Sequence, residues 1–176
     1  MLYGQELADP VLLRVGLNIV RQMEVSPTAD DPIYWASVYR MTAVNFRLSA
    51  EALLPSLELR DDGSPAKLTA IPFYFLVSQS LELFLKSALL KRGYVPADLK
   101  RFDYRHNLQA MLELLKNKGL PVSQEATSII EGLSAQHAHH LLRYHFLINP
   151  FMPPPTSLWL VLDELLLLTR ISTHGR

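Results

Sequence analysis

Apolar residues recur at helical spacing along most of the chain, and prolines, glycines and short polar residues separate the runs. "ADP" at 8–10 and "DDP" at 30–32 each set an acidic cap before a proline, the imino acid that a first helical position tolerates best. Helices are therefore predicted from Pro10 to about Glu24 and from Pro32 to about Leu54. The first carries Val11, Leu12, Val15, Ile19, Val20 and Met23. The second carries two adjoining stripes, Tyr34, Val38, Met41 and Asn45 beside Trp35, Tyr39, Thr42 and Phe46. The aromatic stripe is expected to pack in the core, since base-stacking platforms set their aromatics among basic residues. Residues 57–68 alternate briefly and turn at Asp62 and Gly63, which predicts a loop or short hairpin.

Thr69 is placed to cap a third helix, with Pro72 in its first turn and Gly93 as its stop. A linker over 94–107 sets Lys100, Arg101 and Arg105 against Asp98 and Asp103. Leu108, Met111, Leu112 and Leu115 then define a fourth helix, closed by Lys116, Lys118 and Gly119. Ser123 opens a fifth, with Ala126, Ile129, Ile130 and Leu133, and later Leu141 and Tyr144. The prolines of "NPFMPPPTS" at 149–157 exclude a helix, and Thr156 or Ser157 is expected to cap the last one, running to about Ile171. The pattern predicts an all-α, single-domain helical bundle of five to six helices over 1–176, with one short loop or hairpin insertion and no internal repeat.

Composition narrows the function classes. A chain of 176 residues with 49% apolar positions can fill one core. Its 17 basic and 17 acidic residues balance, so no global field draws it to nucleic acid or to a lipid surface; a local basic patch would be needed. The absence of cysteine excludes disulfides, thiolate metal sites and a cysteine nucleophile, and it suits a cytoplasmic location. "MLYGQELADP" lacks a basic segment followed by an apolar run, so no secretory signal is expected. "SLWLVLDELLLLTRI" is split by Asp163 and Glu164, whereas a spanning helix needs about 20 apolar residues; a core helix and no membrane association are expected. There is no Gly-rich phosphate loop, no G-x-S-x-G and no strand–helix alternation, and no cofactor is expected. The adjacent pairs Asp61–Asp62 and Asp163–Glu164 read as solvated charges.

Two clusters carry candidate chemistry. In "FLVSQSLELFLKSALLKRG" at 75–93, Ser78, Gln79, Glu82 and Lys86 form one polar stripe on a helix that is otherwise apolar. A half-buried charge needs partners, so Glu82 and Lys86 are expected either to join a network with Arg143 or His106 or to line a ligand-binding groove; both fit the pattern. In "QHAHHLLRYHF" at 136–146, His139 and His140 would each lie one turn from Arg143 on a continuous helix, as a cationic face for a polyanion or as an ordinary helix end. His137 and His140 would share a face, but without HExxH or cysteine no metal is expected.

The order "IPFYFLVSQSLELFLKSALLKRG", a short linker, "RHNLQAMLELL" and "LLRYHF" before a final helix resembles the HEPN superfamily of prokaryotic helical domains. The family's Glu-x-x-x-Lys pair is matched by Glu82 and Lys86, its Gly/His-Asp/Asn-Leu helix start by His106, Asn107 and Leu108, and its later Arg-Tyr pair by Arg143 and Tyr144. The resemblance covers about residues 33–170 and leaves 1–30 as an N-terminal helical extension. It implies a helical module that forms a homodimer and binds a nucleotide, an RNA or a protein partner such as an antitoxin, in a defence or toxin–antitoxin setting. It also implies ligand-binding positions at Glu82, Lys86, His106, Arg143 and Tyr144. Ribonuclease members set a His four to six residues after an Arg, whereas here His145 follows Arg143 by two, so a non-catalytic module is the expectation. The alternative is a metal-independent endoribonuclease using Arg143 with His145 or His140, since His and Arg can supply base, acid and phosphate contact near neutral pH.

Overall fold

The side chain of Asp31 accepts hydrogen bonds from the backbone N–H groups of Ile33 (2.9 Å) and Tyr34 (3.2 Å), and Pro32 fills the first helical position. Helix α1 (Pro32–Leu53) starts there. It is followed by α2 (Ile71–Leu90), α3 (Leu108–Asn117), α4 (Gln124–Ala138), the single turn α5 (Leu141–Tyr144) and α6 (Pro155–Leu168). This computed structural model describes residues 31–66, 70–101, 104–144 and 151–170, with the side chains of Arg143 and Tyr144 outside that description. The helix expected from Pro10, the Thr69 cap, His145 and Ile171 also lie outside the described residues. Within them the protein is an all-α bundle. The stretch 57–66 holds one isolated bridge, Leu59 to Pro65, around Gly63 at φ +76°.

α2 is the central element: fourteen of its 20 residues are buried, and α1, α3, α4, α5 and α6 all pack on it. By length and composition alone it could cross a membrane, but 78% of its most apolar window is buried inside the bundle, as an axial core helix requires. Gly93, at φ +93°, turns the chain away after its end.

The contact between α1 and α2 departs from the expected stripes. The buried positions of α1 are Ala36, Ala43 and Ala50, seven residues apart, while Trp35 and Tyr39 are only partly buried and Asn45 is exposed. Side-chain size explains the difference. α2 is crowded with large apolar residues, so α1 approaches it through methyl groups, closely enough for Ser80 to donate to the Ala43 carbonyl (2.8 Å) and Ser87 to the Ala36 carbonyl (2.7 Å). The helices run antiparallel with one shared seven-residue step. Ala43→Leu is therefore expected to overpack the seam and cost about 1–3 kcal/mol in urea unfolding, whereas Asn45→Leu on the exposed side should stay within about 0.5 kcal/mol.

α6 begins at Pro155 rather than at Thr156 or Ser157, because Pro154 holds an extended conformation (ψ 140°) and Pro155 suits the first helical position. Of its acidic pair, Asp163 is exposed, as the sequence pattern suggested, and Glu164 partly so, and both have partners. Asp163 pairs with Arg47 of α1 (2.5 Å), and Glu164 accepts both the N–H (2.7 Å) and the hydroxyl (2.6 Å) of Ser123, the N-cap of α4. At the other end Lys91 donates to the carbonyls of Thr169 and Arg170, both at 2.6 Å, and thereby caps α6. Burial, and then the charge of Arg40, lower the Lys91 pKa to about 8.

Candidate functional site

Glu82 sits on α2 with its side chain only 4% exposed, and three nitrogen atoms converge on its carboxylate. Lys86, one turn on, donates to Oε1 at 2.5 Å. His137 Nε2 lies 2.5 Å and His106 Nδ1 2.9 Å from Oε2. Each partner is placed by its own element. Lys86 follows from the helical repeat of α2. His106 immediately precedes Asn107, whose side chain caps α3 by accepting from the Ala110 N–H (3.0 Å). Ser134 of α4 takes the Gln109 N–H (3.0 Å), fixing the start of α3 against α4, and His137 stands one turn beyond Ser134. The first turn of α3 and the last of α4 are thus docked together, and their histidines meet over Glu82.

Electrostatics keeps the carboxylate charged. Burial opposes ionisation of Glu82, but the His137 hydrogen bond and the charge and hydrogen bond of Lys86 outweigh it, holding the carboxyl well below the usual carboxylate range. The same charge reaches α1: the Tyr39 hydroxyl is pushed up first by burial and then by Glu82.

Backbone geometry marks the same place. Among the described residues, His106 (φ +62°) and His140 (φ +56°) are the two non-glycine positions in the left-handed region. Their rings meet edge to face at 4.7 Å, and the His106 and His137 rings at 5.7 Å. Two left-handed residues in ring contact beside a buried charge concentrate conformational cost at one site. His140 also breaks the helix. α4 ends at Ala138 with His139 as its C-cap, and the chain restarts at Leu141. The continuous helix expected to align His139 and His140 with Arg143, and His137 with His140, is therefore interrupted.

Next to the network, Lys86, Leu99, Lys100, Arg105 and His106 line a cleft of about 380 Å³. Leu99, buried, belongs to its wall, and Lys100 and Arg105 are exposed. Three of the five lining residues, Lys86, Lys100 and Arg105, carry basic side chains, and His106 adds an imidazole.

No family model, no curated protein and no solved structure matches this chain in comparisons with known proteins.

Of the residues expected to form a site, Glu82, Lys86 and His106 stand together. His140 reaches them through the His106 ring, and Arg143, Tyr144 and His145 lie outside the side-chain description. The residue that sequence reasoning missed as a partner of Glu82 is His137. It is 55 positions away, and its only signal was an imidazole on the apolar face of α4 at the spacing of Ile130, Leu133 and Ser134.

Proposed function

We propose that this protein is a non-catalytic, HEPN-like helical module that binds a phosphate-bearing ligand, a nucleotide or an RNA, in the cleft beside Glu82. What supports the proposal above all is the lining of that cleft: Lys86, Lys100, Arg105 and His106 around an apolar wall at Leu99, in a chain whose overall charge is zero. A neutral protein has no general pull on polyanions, so a local concentration of cationic groups is the feature that can select one. Lys86 and His106 are each held by Glu82, so both side chains at the cleft wall are fixed before any ligand arrives. Lys100 and Arg105 are free of that restraint and carry the charge that a phosphate would meet first. The resemblance in the Glu82, Lys86 and His106–Asn107–Leu108 positions adds the homodimer and the defence or toxin–antitoxin setting to the proposal.

The test is equilibrium binding of a fluorescent adenine nucleotide and of a short single-stranded RNA to the wild-type protein and to Lys100→Glu/Arg105→Glu. Charge reversal is expected to weaken binding at least about tenfold and to flatten its salt dependence. Equal binding by both proteins, or none by the wild type at millimolar nucleotide, overturns the cleft as the site. Sedimentation of the same samples reports the dimer, and RNA incubated without metal reports any cleavage. Cleavage lost in His140→Ala would favour the ribonuclease alternative.

A further inference from the structure

From the convergence of Glu82, His106 and His137, we infer a binding site for a divalent transition-metal ion at the junction of α2, α3 and α4. The three side chains each offer a ligand atom, and these atoms lie within 4.8 Å of one another. Two imidazoles and one carboxylate form a donor set suited to zinc and to its neighbours in the first transition row. The set comes from three separate elements, so no short sequence motif announces it.

The geometry admits an ion after the side chains adjust. Glu82 Oε2 now stands 2.5 Å from His137 Nε2 and 2.9 Å from His106 Nδ1. Ligands of one tetrahedral zinc, at about 2.0–2.1 Å from the metal, are about 3.3 Å apart. Spreading these two contacts by less than about 1 Å, and drawing the two imidazole nitrogens, now within 4.8 Å of each other, toward the same separation, admits the ion, which takes the place of the two imidazole protons now shared with Oε2. Lys86 stays on Oε1 and orients the carboxylate from outside the coordination sphere. Burial is graded in the sense an accessible site needs: the side chains of Glu82 and His137 are 4% and 2% exposed, and that of His106, which also lines the cleft, is 19% exposed. A fourth position would open on the cleft side.

Cobalt(II) is the probe, because its visible absorption distinguishes nitrogen-and-oxygen coordination of low symmetry from the aqueous ion. The full chain, stripped with chelator and desalted, is expected to take up one equivalent of cobalt(II) with a new visible band, which zinc then displaces. His137→Ala should abolish the band but removes a buried side chain, so the deciding variant is His106→Asn. Asparagine tolerates the left-handed backbone that His106 occupies and keeps the fold, as circular dichroism would verify. Cobalt affinity is expected to fall at least tenfold in His106→Asn. No stoichiometric uptake by the wild type, or uptake of unchanged affinity and spectrum in a folded His106→Asn, would overturn the site.

Discussion

Glu82→Ala is expected to lower the unfolding free energy by about 3–5 kcal/mol, the range in which removing one partner of a buried ion pair falls. The substitution leaves Lys86 and His137 facing each other with side chains 13% and 2% exposed and no anion between them. Glu82→Gln keeps an acceptor oxygen and should cost about half as much. Urea unfolding near pH 7 measures both, beside Glu113→Ala, whose exposed side chain accepts from the Gln109 amide and which should stay within about 0.5 kcal/mol. A loss under about 1 kcal/mol for Glu82→Ala would remove the network from the account of stability. The pH dependence has a definite sign. The folded-state pKa of Glu82 is depressed below its unfolded value, so the unfolded chain takes the proton first. The stabilisation is complete above about pH 4.5 and is lost as pH falls from there toward the folded value. The acid limb of wild-type stability should therefore be steeper than that of Glu82→Gln.

The second large effect lies on the opposite side of α2. Phe73→Ala is expected to cost about 3–5 kcal/mol. Phe73 is fully buried and meets Tyr74 (5.1 Å) and Trp159 of α6 (5.8 Å) edge to face. Tyr74, next in sequence, donates its hydroxyl to the Pro153 carbonyl (2.6 Å), so these two residues attach the proline segment and α6 to the core helix. The cavity should loosen that attachment first. Trp159 emission is expected to shift to the red in the folded variant, while Trp35 on α1 reports no change. A stability loss without an emission change would place the damage elsewhere.

Much of the bundle was legible because caps and breakers act locally. Asp31 with Pro32, Ser123 and Gly93 each hold the position that their short-range chemistry predicts. The apolar circumference of α2 announced an axial helix for the same reason. The buried face of α1 was not legible, because alanine gives a weak hydrophobic signal and is selected by closeness to a partner helix. The break at His139–His140 was also hidden: histidine carries no turn signature, and here its left-handed backbone accompanies a ring contact with His106. Within the site, Lys86 could be read beside Glu82 from the helical repeat. The meeting with His137 depends on how Ser134 docks the start of α3, which no window of sequence contains.

The contacts on Glu82 also order events in time. Its bonds to His106 and His137 span 24 and 55 residues, so they close only after α2, α3 and α4 have found one another, whereas the helices themselves can nucleate locally. Interactions made late contribute little to the folding barrier and fully to the unfolding one. In Glu82→Ala the lost stability should therefore appear mainly as faster unfolding, with refolding nearly unchanged. On this expectation the carboxylate acts as a latch, closing after the helices have met and slowing their separation.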